Sequence, residues 1–230
     1  MKIAVFIPNS TMPPEAQALR RSFLGENAAP DCQVEVWRND AGPASIETEA
    51  ERDEAGVEIL RHALQRDLTG ISALIPWCAA DPGLDALREA LPIPVVGPLA
   101  ASCHVASMLG QRFSLVMPAG NPRMTRHRIE SCGFGGKLAS VRQVNRPVLE
   151  LRADLGSTIE LFRREILAAA ELDGAETVIL GCMALFGLAA SIPSPVPVVD
   201  PARAALSMAE SLVRMGLSNS TVPLAQRGAA

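Results

Sequence analysis

The sequence predicts an α/β protein of two pseudo-symmetric lobes, each a parallel sheet between helices, with a functional cleft between them. Three observations carry this expectation. Apolar strand-like runs alternate with amphipathic stretches of helical length, the pattern of a parallel sheet covered on both faces. The order of elements in the first half recurs in the second. Cys78 and Cys182 stand at the ends of matching strands.

Taken in order, Ile3 to Ile7 is an apolar run that reads as a first strand, and Pro14 to Leu24 is helical in pattern. Val34 to Trp37 is a short strand, followed by a loop through Gly42-Pro43. Thr48 with Glu51 three residues later fits a capping box. The helix it opens runs to about Arg66, with Ala55, Ile59, Leu60 and Ala63 on one face. Ala73-Leu74-Ile75 is a buried strand ending near Cys78. In the second half, Phe113 to Met117 is a strand followed by a Pro-Ala-Gly loop, and Leu138 to Val144 holds another strand. Ser157 to Leu172 is a helix, and Thr177 to Leu180 is a strand ending at Gly181-Cys182.

The repeat is legible residue by residue. With Cys78 placed on Cys182, Ala80 falls on Ala184, Gly83 on Gly187, Leu84 on Leu188 and Ala86 on Ala190. After a slip of one residue, the run from Pro92 to Pro98 lies on Pro195 to Pro201. Val5-Phe6-Ile7-Pro8 lies on Leu115-Val116-Met117-Pro118. The expected division is residues 1–98 plus 205–230 for the first lobe and 99–204 for the second. The segment after Pro98 crosses to the second lobe. The helix after Pro201, through Ala205, Met208, Leu212 and Met215, returns to the first.

Composition narrows the function. The chain of 230 residues is long enough for two small lobes with real cores. Its net charge of −4, with basic residues scattered, argues against a nucleic-acid footprint. Pro and Gly interrupt every apolar run before it reaches membrane-spanning length. The opening run Met1 to Pro8 is too short and too quickly polar for a signal peptide. A cytoplasmic protein with a small-molecule substrate is therefore expected. Five cysteines, with no C-x-x-C pair and no His at ligand spacing, argue against a disulfide framework or a zinc site. No metal or cofactor is expected. With three histidines, the usual general base is scarce and another group must move protons.

In open α/β sheets the functional crevice lies beyond the carboxyl ends of the strands. Pseudo-twofold symmetry would bring Cys78 and Cys182 to opposite walls of such a crevice. A thiol with an ordinary pKa of about 8.5 is only slightly ionised at pH 7, so a helix N-terminus is expected to lower it. Two acid–base groups on opposite faces of one carbon suit inversion of a stereocentre without a cofactor. The plainer alternative is a pair of buried structural cysteines. The symmetric placement at two strand ends favours function.

These residues carry a family resemblance. The segment Cys-Ala-Ala-Asp-Pro-Gly-Leu-Asp-Ala-Leu-Arg (78–88) is similar to the first cysteine motif of hydantoin racemases in the aspartate/glutamate racemase superfamily. Leu180-Gly181-Cys182-Met183 resembles the second, and Pro8-Asn9-Ser10-Thr11 resembles the N-terminal loop of the family. The resemblance extends nearly over the whole chain, up to Gly216-Leu217. It implies two Rossmann-like lobes, cofactor-independent racemisation by Cys78 and Cys182, and a homo-oligomer. It also implies 5-substituted hydantoins, or allantoin, as substrates. Departures at Val116-Met117-Pro118-Ala119 and at Met183-Ala184-Leu185-Phe186 fall near the expected pocket. With Ala79, Ala80, Met183 and Ala184 beside the cysteines, a neutral or cyclic substrate with an apolar substituent fits best.

Further candidates follow from position. Asn9, Ser10 and Thr11 are expected to bind a ring carbonyl or carboxylate. Pro118, Ala119 and Gly120, followed by Asn121, are expected to bind through their backbone. Cys103-His104 reads as packing, because adjacent helical residues do not face one another. Cys32 and Cys132 read as bystanders. Asp81 reads as a cap for the helix after Cys78 or as a group that positions the site. Glu47 reads as a solvated loop acid, and Arg126-His127-Arg128 as a solvated helix face. The unequal pairs, Gly97 with Asp200 and Ala79-Ala80 with Met183-Ala184, are expected to decide which substrate fits. Other readings are an amino-acid racemase, a cis–trans isomerase or an arylmalonate-type decarboxylase on the same scaffold, or a non-catalytic two-lobed sensor.

Overall fold

The computed structural model describes residues 1–220; the end of the expected first lobe, 221–230, lies outside the described residues. Strand β1 (Lys2–Ile7) pairs with β2 (Gln33–Arg38) and β3 (Ala73–Pro76) in the order β2-β1-β3. Leu74 adds a bridge to Val95 on the far side of β3. In the second sheet, β4 (Phe113–Met117) pairs with β5 (Leu138–Gln143) and β6 (Thr177–Leu180). Strand β7 (Val198–Val199) then pairs with β6, giving the order β5-β4-β6-β7. Every pairing is parallel. The repeated Pro-x-Pro run explains why the sheets match at this edge. Leu74 N–H donates to Pro94 O and Val178 N–H to Pro197 O, each at 2.9 Å.

The strands are interspersed with helices α1 (Pro14–Asn27), α2 (Glu49–Gln65), α3 (Leu84–Ala90), α4 (Pro98–Leu109), α5 (Pro122–Ser131), α6 (Leu155–Asp173) and α7 (Pro201–Arg214). The capping box at α2 is complete. Thr48 Oγ1 accepts from Glu51 N–H at 3.3 Å, and the Glu51 carboxylate accepts from Thr48 N–H at 2.8 Å. The central strands β3, β4 and β6 are buried along their whole length, which is why they read as unbroken apolar runs.

Successive residues of a strand face opposite ways. Ile3, Val5 and Ile7 therefore enter a core shared with Phe113, Leu115 and Ile179 of the other sheet. Ala4 and Phe6 pack on the opposite face with Ile59, Ala63 and Leu87. The corresponding outer core of the second half gathers Val116, Val178 and Leu180 under Phe162 and Ile166 of α6. Helix α4 packs against β6, α7 packs against β3, and the two helices pack against each other. The buried stripe of α7 is Ala202, Ala205, Leu206 and Ala209, while Met215 lies just past its end and is exposed.

The two halves solve one problem differently. The first turn of α4 has no side chain on its cap, because the cap is Gly97. Asp81 supplies the carboxylate instead, accepting from Leu99 N–H and Ala100 N–H at 2.9 Å each. In the second half Asp200 is itself the cap of α7, accepting from Ala202 N–H at 2.9 Å, and its other oxygen accepts from Gly187 N–H at 2.6 Å. The unequal pair Gly97 and Asp200 thus serves helix capping rather than substrate choice, and neither residue lines the cleft. Asp81 likewise caps the crossing helix α4, not the helix that directly follows Cys78.

Candidate active site

A cleft of about 290 Å³ lies beyond the carboxyl ends of β1, β3, β4 and β6, with walls from both halves. Cys78 and Cys182 both line it. Each opens the same tight turn. Asp81 N–H donates to Cys78 O and Leu185 N–H to Cys182 O, both at 3.1 Å. The sulfurs are held alike: Ala80 N–H points to Cys78 Sγ at 3.5 Å, and Ala184 N–H to Cys182 Sγ at 3.4 Å. Asp81 sits at φ 48°, a left-handed conformation that short polar side chains tolerate.

Each turn is also braced by an arginine. Arg52 Nε donates to Ala80 O at 2.9 Å, and Arg152 Nε donates to Ala184 O at 2.7 Å. Arg152 reaches further, donating Nη2 to Phe186 O at 2.7 Å, with its guanidinium 4.0 Å from the Phe186 ring centre. The residue whose N–H faces each sulfur is therefore the residue whose carbonyl an arginine holds.

The expected lowering of the thiol pKa values is reversed. Burial pushes Cys78 up to about 12, opposed chiefly by Ala80 N–H and reinforced by Cys182 and Asp81. Burial pushes Cys182 up to about 11, opposed by Ala184 N–H and by the charges of Arg20 and Arg152. The physical reason is that no long helix starts at either cysteine. Cys182 caps a three-residue 3₁₀ turn, and α3 begins only at Leu84, six residues after Cys78. Desolvation of the thiolate then outweighs the few N–H groups nearby. Burial therefore disfavours the thiolate form at both sulfurs.

Most of the expected binding residues meet here. Asn9, Thr11, Ala79, Ala80, Pro118, Ala119, Gly120, Met183 and Ala184 line the cleft. Ser10 does not: its hydroxyl donates to Gly42 O at 2.8 Å and ties the β1 loop to the Gly42-Pro43 loop. One amide of the Pro118 loop is already used, Ala119 N–H donating to Arg146 O at 2.8 Å. Cys103 is buried in the core, and His104 packs edge-on against Phe134.

Two expectations about charge are corrected. Glu47 lines the cleft and accepts from Val148 N–H at 2.9 Å, bridging the halves. Arg128 is mostly buried in the cleft wall and forks onto Glu49 at 2.8 and 3.0 Å, a second bridge between halves. Four arginines, Arg20, Arg52, Arg128 and Arg152, line the cleft, none of which was expected there from the sequence. Sequence spacing did carry a signal for one of them. Arg20 falls four residues after Ala16 and three and four before Phe23 and Leu24, so it sits on the buried stripe of α1.

Comparison with known proteins identifies the family and the fold. The Asp/Glu/Hydantoin racemase family model matches residues 3–209. The hydantoin racemase of Rhizobium meliloti is 33% identical over 96% of this chain and 92% of its own. Among solved structures, allantoin racemase from Pseudomonas fluorescens superposes with a TM-score of 0.91 at 30% identity, covering 97% of each chain. Allantoin racemase from Klebsiella pneumoniae gives a TM-score of 0.88 at 31% identity, covering 96% of this chain and 90% of that one. The duplicated α/β sheets and the matching over nearly the whole chain lead to one conclusion: the protein belongs to the Asp/Glu/Hydantoin racemase family and is an isomerase of the racemase type.

Proposed function

We propose that the protein racemises 5-substituted hydantoins, or an allantoin-like ring, at C5 without a cofactor, using Cys78 and Cys182 as paired acid–base groups. One observation carries the reading: both sulfurs line one cleft in turns of matching geometry, one from each half. The relatives named above point to the same ring chemistry. In the forward direction one thiolate takes the C5 proton, and the electron pair moves into the C4 carbonyl as an enolate. The opposite thiol then delivers its proton to the other face of C5. The ring leaves as its mirror image, the two sulfurs have exchanged protonation states, and no net proton is consumed. A hydantoin C5 proton, flanked by a carbonyl and an amide nitrogen, is acidic enough for a thiolate to remove.

A buried thiol pushed up in pKa is a stronger base once ionised, which suits carbon deprotonation. Arg20 and Arg152 favour the charged form of Cys182, and Arg128 favours that of Cys78. The expected assembly is a homo-oligomer, which light scattering on the purified protein measures directly.

The test follows each enantiomer of a hydantoin panel in deuterated water with wild type, Cys78→Ser and Cys182→Ser. Both variants should lose racemisation, with any residual deuterium exchange confined to one enantiomer and opposite in the two variants. Full racemisation by either single variant defeats the two-base mechanism. Turnover of a free amino acid with none of any hydantoin defeats the substrate class alone.

A further inference from the structure

We propose that Arg20, Trp77 and Phe186 form a subsite for a carboxylate on the C5 substituent, so that the favoured substrates are acidic hydantoins. The inference rests on the hydantoin reading above and replaces the apolar substituent expected from the sequence. Its starting point is an arginine without a counter-charge. Arg20 is 8% exposed and lines the cleft. Its Nη1 donates to Ala16 O, one turn back in its own helix, at 2.8 Å. Its Nε is buried with no hydrogen-bond partner, and no carboxylate lies within ion-pair distance among the described residues.

The other guanidiniums of the cleft each hold a carboxylate or a carbonyl, although Arg128 Nε, like Arg20 Nε, is buried without a partner. Arg128 holds Glu49, Arg52 holds Asp53 and Ala80 O, and Arg152 holds two carbonyls. Arg20 has instead a second cation for a neighbour. It lies 5.2 Å from the centre of the Phe186 ring, and Arg152 lies 4.0 Å from the same ring. Burial and the charge of Arg152 together pull its pKa down to about 10, with Cys182 opposing them.

A second buried donor stands at the same ring. Trp77 packs edge-on against Phe186, with ring centres 5.7 Å apart, and its indole N–H is buried without a partner. Trp77 immediately precedes Cys78 and also lines the cleft. The equivalent position in the second half is Gly181, so the pseudo-symmetry of the cysteines breaks here and leaves donors on one side only. A buried cation without a counter-charge, with its Nε unpartnered, and an indole N–H without an acceptor are what a carboxylate satisfies. A planar guanidinium can grip it through two nitrogens. An alkyl group would leave both donors unpaired, a mismatch that sites of this kind reject strongly.

The test compares kcat/KM for hydantoin-5-acetate and hydantoin-5-propionate with that for 5-isobutylhydantoin. Wild type should prefer one of the acids by about 100-fold. Arg20→Gln should collapse that ratio to within about tenfold of one, mainly through KM, and Arg20→Lys should restore part of it. Trp77→Phe, which keeps the ring and removes the N–H, should lower the ratio by about tenfold. A wild-type preference for the isobutyl compound overturns the subsite. So does an unchanged ratio in Arg20→Gln, which would make Arg20 a partner of Cys182 alone.

Calorimetric binding of hydantoin-5-acetate to the Cys78→Ser/Cys182→Ser double variant, with and without Arg20→Gln, separates this inference from the reaction itself. Tighter binding that depends on Arg20 supports the subsite even if no hydantoin is turned over. Equal Kd values overturn it even if racemisation is fast. The Trp77→Phe arm gives the same decision if Arg20→Gln fails to fold.

Discussion

Gly97→Ala tests how the crossing helix is held beside Cys78. A methyl group on Gly97 would stand 2.6 Å from both Asp81 Cγ and Leu84 Cδ2, and closer still to Asp81 Oδ2. Ordinary carbon contacts are about 3.5–4.0 Å, so the carboxylate must move by about 1 Å. That movement breaks its hydrogen bonds to Leu99 N–H and Ala100 N–H, both 2.9 Å long. Hydrogen bonds to a charged group contribute about 1.5–3 kcal/mol each. The usual gain from replacing glycine, about 0.4–1 kcal/mol through the unfolded chain, offsets little of this. The expected net loss is about 3–4 kcal/mol, read as a fall in the urea midpoint at constant m-value. A control moves the carboxylate to where the second half has it. Gly97→Asp combined with Asp81→Gly reproduces the Asp200 cap, whose backbone angles of −81° and 117° lie close to the −74° and 130° of Gly97. It should be more stable than Gly97→Ala by about 2 kcal/mol, the upper end of a helix-cap contribution. A loss under about 1 kcal/mol in Gly97→Ala, or no recovery in the paired variant, would refute this account of the caps.

Three further outcomes are expected. On the proposed two-base mechanism, Arg52→Ala should impair deuterium exchange of the enantiomer assigned to Cys78 and Arg152→Ala the opposite one, by about 100-fold if the turn shifts by 1 Å; equal losses for both enantiomers contradict separate braces. Because burial raises both cleft thiols, alkylation of Cys78 and Cys182 by iodoacetamide, mapped by peptide mass, should rise about tenfold per pH unit from pH 7 to 10, and a plateau by pH 8 rules this out. Asp81 is pushed up by burial to about 6 from an ordinary 3.8, so its protonated form favours the fold. That stability is fully present below pH 3.8 and is lost as pH rises through about 6, by about 3 kcal/mol in all; denaturant titrations of Asp81→Asn should show the slope between pH 4 and 6 removed.

Much of the fold was legible because its central strands are buried on both faces. Ala73-Leu74-Ile75, Phe113 to Met117 and Thr177 to Leu180 have no polar face to disguise them, apart from the Ser114 and Thr177 hydroxyls. The strand ends at Cys78 and Cys182 followed directly. The arginines were not legible, since Arg20-Arg21 reads as any charged helical pair until α1 is docked and Arg20 alone goes inside. Arg128 was read as solvated because its partner, Glu49, lies 79 residues away. Ser10 was read as a ligand because nothing local announces that Gly42 O will take its hydroxyl.

The sequence by itself determined the duplicated order of strands and helices and the placement of one cysteine at the end of a central strand in each half. These follow from hydrophobic period and local turn chemistry, which are properties of short segments. Only the tertiary structure decided the burial of the thiols, the arginine that holds each cysteine turn, and which carboxylate caps which helix. Each of these depends on burial and on partners brought together from distant parts of the chain. Asp81 reaches α4 18 residues on, and Arg152 reaches Ala184 32 residues on. Desolvation of two sulfurs at the seam between sheets has no counterpart in any window of sequence.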